Sequence, residues 1–179
     1  MTDTQAMFDV VSPGLQTLVQ DHPGRRGLQS KGFFPAGPMD HLSFRIANAL
    51  VGNDPGAAAL EIPMGRLTLQ VLAKTSIAVA GAEDSRITLN GGPMPLWQTV
   101  RVVPGDTISC SIIKGPGFRL YLAVAGASTC RWYWGRGPRT PWVGSVAWRA
   151  APSSRATCCM GARSPRPLPF VCRSRCGPR

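Results

Sequence analysis

Ser76-Ile77-Ala78-Val79-Ala80 and Arg86-Ile87-Thr88-Leu89-Asn90-Gly91-Gly92 decide the fold class. Ile77, Val79, Ile87 and Leu89 alternate with smaller or polar residues, the period of strands with one buried face. Asn90-Gly91-Gly92 reads as a turn between strands. Downstream, 99–103, 107–113 and 118–125 read as further strands, with a turn at Pro104-Gly105-Asp106. Upstream lie 58–62 and 66–71, and before them 7–11 and 15–20 around Ser12-Pro13-Gly14. One helix interrupts this series. Asp40 is a good N-cap, because its carboxylate accepts from free N–H groups of the first turn. Leu42, Ile46, Ala47 and Leu50 recur at helical spacing. Gly52 suits the C-terminal left-handed position, and Pro55 prevents continuation. Short strands with Gly/Pro turns and a single helix imply a mainly β barrel or sandwich.

The chain has 179 residues and a net charge of +11. Its 44% hydrophobic content is enough to build a core. The length fits one domain or two. No apolar run approaches the ~18 residues of a membrane span. The start carries Asp3 and Asp9 and does not read as a secretory signal, so a cytoplasmic location is expected. The charge is concentrated: residues 1–129 hold ten Lys+Arg against nine Asp+Glu, a net of +1, while residues 130–179 hold ten Arg and no acid, a net of +10. The second part also carries Cys130, Cys158, Cys159, Cys172 and Cys176, with Trp132, Trp134, Trp142 and Trp148. The two parts are therefore read separately.

Neither a phosphate-binding Gly-x-x-x-x-Gly-Lys-Ser/Thr loop nor a Gly-x-Gly-x-x-Gly after a strand is present. His22, His41 and Cys110 offer little towards a metal site or a Cys–His dyad, and none is assigned. Residues 21–38 are rich in Gly and Pro, as in an ordered irregular loop. The polar cluster Gln20, Asp21, Arg25, Asp40, Asn48, Asn53 and Glu61 is more informative. Arginine offers a planar fork that fits carboxylate or carbonate. Asn and Gln supply neutral donors and acceptors suited to an amide or urea group. Loop-stabilising hydrogen bonds plus a helix cap account for the same residues, and on their chemistry alone that is the preferred reading.

Val11-Ser12-Pro13-Gly14-Leu15-Gln16-Thr17, then Val19-Gln20-Asp21-His22-Pro23-Gly24-Arg25, resembles the opening of a biotin-dependent carboxyltransferase domain. Gly37-Pro38-Met39-Asp40, residues 48–53 (Asn-Ala-Leu-Val-Gly-Asn), residues 56–61 (Gly-Ala-Ala-Ala-Leu-Glu) and residues 121–126 (Tyr-Leu-Ala-Val-Ala-Gly) agree. The family includes the carboxyltransferase domain of urea carboxylase (urea amidolyase), allophanate hydrolase subunit 2-like proteins and the C subunit of 5-oxoprolinase. Pro-Gly-Arg at 23–25, Gly-Pro-Met-Asp at 37–40 and Ser43-Phe44-Arg45 resemble the urea carboxylase branch more closely. The resemblance covers about 8–126. It implies a cyclophilin-like β-barrel, carboxyltransferase subdomain A over 7–128, truncated. It implies transfer of a carboxyl group from carboxybiotin to urea or a similar small amide. Biotin would ride on a carrier, and ATP would be used by a biotin carboxylase. The implied partners are those two and a companion carboxyltransferase subunit. In the oxoprolinase branch, ATP-dependent lactam hydrolysis with partner subunits is implied instead. Arg25, Asp40 and Asn48 would be catalytic, with Arg25 holding carboxylate charge. Gln20, Asp21, Asn53 and Glu61 would contact the substrate or shape its loop. No metal, membrane or nucleic acid is implied.

Residues 129–179 lie beyond the family pattern and are expected to be irregular. Arg interleaved with Trp could bind nucleic acid, but without recognisable module spacing. The cysteines lack zinc-ligand spacing, and nothing indicates the secretion that a disulfide framework would need. Translation in the wrong frame, after a base inserted or deleted in the DNA as a sequencing error or in a broken gene, accounts for this segment better. Trp132-Tyr133-Trp134-Gly135 must be encoded TGG-TAY-TGG-GGN. Read from the last G of the first codon, this gives Val-Leu-Gly, which begins the family's Val-Leu-Gly-Ser-Arg-Ser-Thr stretch. Seventeen Arg against three Lys fits GC-rich DNA. Loss of the remaining strands would leave open sheet edges and a protein incompetent as drawn.

Overall fold

A computed structural model describes residues 7–24, 29–32, 37–127 and 156–158. Within them, strands β1 (Phe8–Pro13) and β2 (Leu18–Gln20) precede a 3-10 turn and helix α1 (His41–Leu50). Then come β3 (Ala59–Pro63), β4 (Leu67–Val71), β5 (Thr75–Gly81), β6 (Ile87–Leu89) and β7 (Gly92–Pro93). The series ends with β8 (Thr99–Val102), β9 (Thr107–Cys110), β10 (Arg119–Val124) and β11 (Ala156–Cys158). They form two antiparallel sheets. One has the order β11-β1-β4-β9-β6-β7 and the other β2-β3-β10-β5-β8. The mainly β, one-helix architecture read from the sequence is therefore the one observed.

Three local readings need correction. The second strand begins at Leu18 rather than residue 15, because 14–16 form the turn. Residues 111–113 leave the ladder after Cys110. Gly92, expected within a turn, pairs with Leu89 in a short edge strand. The chain reverses over Asn90 and Gly91, whose φ values of 53° and 81° suit a primed hairpin turn.

The helix follows the expected chemistry. Asp40 caps it by accepting from the Leu42 and Ser43 N–H groups. Gly52 adopts φ 74° just past the end and donates to the Ala49 carbonyl.

The five-stranded sheet is buried on both faces. On one, Leu60, Ile62, Ile77, Val79, Leu120, Leu122 and Val124 meet Phe8, Val10, Leu69 and Ile108 of the other sheet in the main core. On the other, Ala59, Ala80, Tyr121 and Ala123 receive Phe44 and Ala47 of α1. The alanines leave room for the helix to approach closely, and Phe44 meets the Tyr121 ring edge-on at 5.8 Å.

Ala156–Cys158 corrects one expectation for the tail. These three residues are extended and pair antiparallel with β1, Phe8 against Cys158 and Val10 against Ala156. An open edge offers unpaired N–H and C=O groups that a strand satisfies. The other residues from 128 onward, and the frameshift and basic-tail readings that fall on them, lie outside the described residues.

Gly81 tests the β5–β10 pairing. Its φ is 129°, and a Cβ there would sit 2.3 Å from the Arg119 carbonyl oxygen. Gly105, at φ 96°, has open space around it. In urea unfolding, Gly81→Ala is expected to cost about 1–3 kcal/mol more than Gly105→Ala. Equal losses would show that strain alone, without the backbone clash, sets the cost.

Candidate functional site

Antiparallel pairing of β3 with β10 sets Tyr121 directly opposite Glu61 and Arg119 opposite Pro63. Residues two apart on a strand share a face, so Glu61, Tyr121 and Arg119 lie on the helix side of the sheet. Tyr121 is fully buried and Glu61 is 3% exposed. The Tyr121 hydroxyl accepts from the Asp40 N–H at 2.8 Å. Its single proton therefore goes to Glu61 Oε1 at 2.9 Å. The Met39 N–H also donates to that oxygen, at 3.3 Å. Arg119 Nε lies 2.8 Å from the same oxygen as an ion pair. Its N–H lacks the alignment of a hydrogen bond, so the contact is a charge contact. The guanidinium also sits 5.1 Å from the Phe118 ring centre. Burial pushes the Tyr121 hydroxyl far above its ordinary range. The Asp40 N–H works against that shift and the Glu61 charge adds to it. Tyr121 is thus a fixed neutral donor rather than a base.

Asp40 sits at the head of this arrangement. Its carboxylate accepts from the Leu42 and Ser43 N–H groups, both at 3.0 Å, and from the Ser43 hydroxyl. Partial burial would raise its pKa. The hydrogen bonds from Ser43 and Leu42, with the His41 charge, outweigh that and lower it. Asp21 moves the opposite way: burial raises it, against a hydrogen bond from its own backbone. The loop that carries Asp21 abuts the helix start. A Cβ on Gly37 would lie 3.3 Å from the Pro23 carbonyl oxygen and 3.4 Å from Gly24 Cα. The His22 and His41 rings meet edge-on at 5.1 Å.

The seven residues singled out in the sequence therefore separate. Glu61 and Asp40 meet at the N-terminal end of α1 through Tyr121 and the Met39–Asp40 backbone, and the Asp21 backbone lies beside Gly37. Gln20, buried, pairs with Ala59 at the end of β2 on the same face. Arg25 follows Gly24 and lies outside the described residues. Asn48 and Asn53 belong to the other end of the helix. Asn48 is completely buried, donating to the Ala57 carbonyl at 2.9 Å and the Phe44 carbonyl at 3.4 Å. Asn53 donates to Asn48 Oδ1 at 3.0 Å and the Val124 carbonyl at 2.8 Å, and accepts from the Gly126 N–H at 2.9 Å. Their amides clamp the helix end to the end of β10, and Asn48 presents no surface to a ligand. Sequence reading does not single out Tyr121 or Arg119 as site residues. The available signal is a phenol in the otherwise aliphatic Leu120–Val124 run, two residues from an arginine.

Cys110 is buried, and desolvation pushes its thiol to about 12, which removes it as a nucleophile. Among the described residues no group of three or more His, Cys, Asp or Glu could hold a metal ion. No helix among them is long and apolar enough to cross a membrane.

Two measurements test these assignments. The folded-state pKa of Asp40 is lowered, so its carboxylate adds stability above its ordinary value of 3.8, and this is lost as pH falls through the lower folded value. The stability gap between the native chain and Asp40→Asn should be largest near neutrality and close as the solution is acidified towards about pH 2. A gap that persisted at that acidity would contradict the assignment. Asn53→Ala leaves the Gly126 N–H, the Val124 carbonyl and Asn48 short of a partner. It should lower stability by about 1–3 kcal/mol in denaturant unfolding, and a loss near zero would exclude the clamp.

Comparison with known proteins gives this geometry a context. The family model of the carboxyltransferase domain, subdomain A and B, matches residues 31–136. The match runs past Gly126, where the motif resemblance ends. A putative urea carboxylase of Emericella nidulans is 41% identical over 142 residues, covering 78% of this chain and 11% of that protein. The C subunit of 5-oxoprolinase from Escherichia coli is 36% identical over 127 residues, covering 67% of this chain and 38% of that one. The crystal structure of the K. lactis urea amidolyase superposes with a TM-score of 0.67 at 37% identity, covering 75% of this chain and 8% of that one. The chain thus spans about a tenth of the urea carboxylase and under two fifths of the 5-oxoprolinase polypeptide. With more than half of its residues inside the family model and its two-sheet fold shared with the solved relative, the chain belongs to the carboxyltransferase domain family.

Proposed function

We propose that this chain is part of a biotin-dependent carboxyltransferase that moves a carboxyl group from carboxybiotin to urea or a similar small amide. The carrying observation is the 41% identity with the putative urea carboxylase. The geometry supports it. A buried carboxylate, a fixed phenol and a partly exposed guanidinium converge where two Gly/Pro-rich segments meet the start of a helix. Such segments let backbone approach a small planar ligand closely. Arg25, at the end of the first segment, holds the carboxylate charge. Asp21 and Asp40 face the amide. Biotin arrives on a partner's carrier, and ATP is spent by a partner carboxylase. A companion subunit and the rest of the carboxyltransferase complete the site, in the cytoplasm. When bound, carboxybiotin supplies the activated carboxyl group. This chain's residues orient the acceptor and exclude water.

A second reading is favoured by the 36% identity with the 5-oxoprolinase chain: ATP-dependent lactam opening with partner subunits. The two differ in what drives turnover. With carrier, biotin carboxylase and remaining carboxyltransferase parts supplied in one assay, and the partner subunits of the 5-oxoprolinase kind in a second, urea should stimulate ATP hydrolysis in the first and 5-oxoproline should not in the second. Arg25→Ala should abolish the urea-dependent rate while the circular dichroism spectrum and unfolding midpoint stay native. Stimulation by 5-oxoproline alone would select the second reading, and full activity of Arg25→Ala would remove the role given to that residue.

A further inference from the structure

Tyr121 is buried, neutral and committed at both of its hydrogen-bonding functions. The Asp40 N–H enters it at 2.8 Å and its own proton leaves to Glu61 at 2.9 Å. Glu61 holds the neighbouring Met39 N–H and is itself held by the Arg119 charge. Two successive backbone N–H groups are thus pinned to one cross-strand pair of the rigid sheet. Just before them, Gly37 rests on the backbone of Pro23 and Gly24. The two loops at the site therefore have a common support, and α1 begins from it. A core tyrosine would need only its ring. Here the ring already packs on Phe44, while the hydroxyl reaches beyond the helix to the turn. The side chains flanking Asp40 are meanwhile held outward, with Met39 and Leu42 each 70% exposed.

We propose that Tyr121 is a positioning residue for this site. Its hydroxyl fixes the Met39–Asp40 turn, and through Gly37 the Asp21–Gly24 loop, in the ligand-competent arrangement. The inference rests on the carboxyltransferase reading only for what the loops handle, because the positioning itself can be read without turnover. When a binding-competent arrangement is only partly populated, apparent affinity falls by that fraction while the rate of the bound state is kept. Loosened loops thus raise KM more than they lower kcat. A purely structural defect instead lowers the amount of folded protein, which scales kcat and leaves KM alone.

The test is amide hydrogen exchange on the full native chain and on Tyr121→Phe, followed by turnover with partners. In Tyr121→Phe the Met39 and Asp40 amides, with the His22 amide that donates to the Gly56 carbonyl, should lose protection by about tenfold or more. Amides of Leu60 and Leu122 should keep theirs. KM for the small amide should rise about tenfold with kcat within about threefold. Unchanged exchange in both loops, an equal loss throughout the core, or an unchanged KM would overturn the proposal. If Tyr121→Phe does not fold, Glu61→Gln takes its place. The carboxamide oxygen still accepts from Tyr121, so a smaller loosening confined to the same segments is expected, and none would again overturn it. Absence of turnover by the native chain with its partners would sink the carboxyltransferase reading, and exchange would still decide the positioning role.

Discussion

The antiparallel pairing of β3 with β10, in the register that sets Glu61 against Tyr121, is the constraint on which the rest depends. Strand side chains alternate between faces, so this one register sorts the residues of both strands. Leu60, Ile62, Leu120 and Leu122 enter the core between the sheets. Ala59, Glu61, Tyr121 and Ala123 face the helix side. A slip of one residue would bury Glu61 in the main core and turn the leucines outward. The hydrophobic contribution of those leucines, about 1.5–3 kcal/mol each, holds a buried carboxylate in place.

That helix-facing surface changes character along its length. Beneath the middle of α1 it is alanine, which allows close packing. At the N-terminal end it becomes Tyr121, then Glu61 and Arg119. A buried carboxylate is tolerated only when compensated. Glu61 is compensated by a phenol, a backbone N–H and an arginine, all converging on Oε1. At the far end, Asn48 and Asn53 perform a different task with neutral groups. They satisfy the backbone of Phe44, Ala57, Val124 and Gly126 where the helix and β10 both finish. One end of the helix is thus tied by charge near the loops, and the other by amides.

This division explains why polar residues that look alike in the sequence differ in place. Asn48 and Asp40 are eight positions apart on or beside one helix, and both read as plausible ligand contacts. Asp40 is exposed at the cap, with a carboxylate lowered by its hydrogen bonds. Asn48 is sealed beneath the chain. Burial and hydrogen-bond partners, rather than residue type, distinguish Asn48 from Asp40.

Local chemistry was legible in the chain itself. The alternation around Ile77 and Ile87, the cap at Asp40 and the stop at Gly52 depend on neighbours only a few residues away. Each therefore survives in the fold. The family blocks from Val11 to Gly126 were legible for the same reason, since motifs are contiguous. Strand 15–20 reads too long because a turn and a strand start share the same residues there. The convergence of Glu61, Tyr121 and Arg119 was not legible. It brings together residues 60 positions apart through a register that only the completed sheet decides. Sequence alone settled most of the strands, where helix α1 begins and ends, and which residues are polar, but not the short edge strands at Gly92–Pro93 and Ala156–Cys158. Tertiary structure settled which polar groups meet, because a pairing register is set by the whole buried face at once.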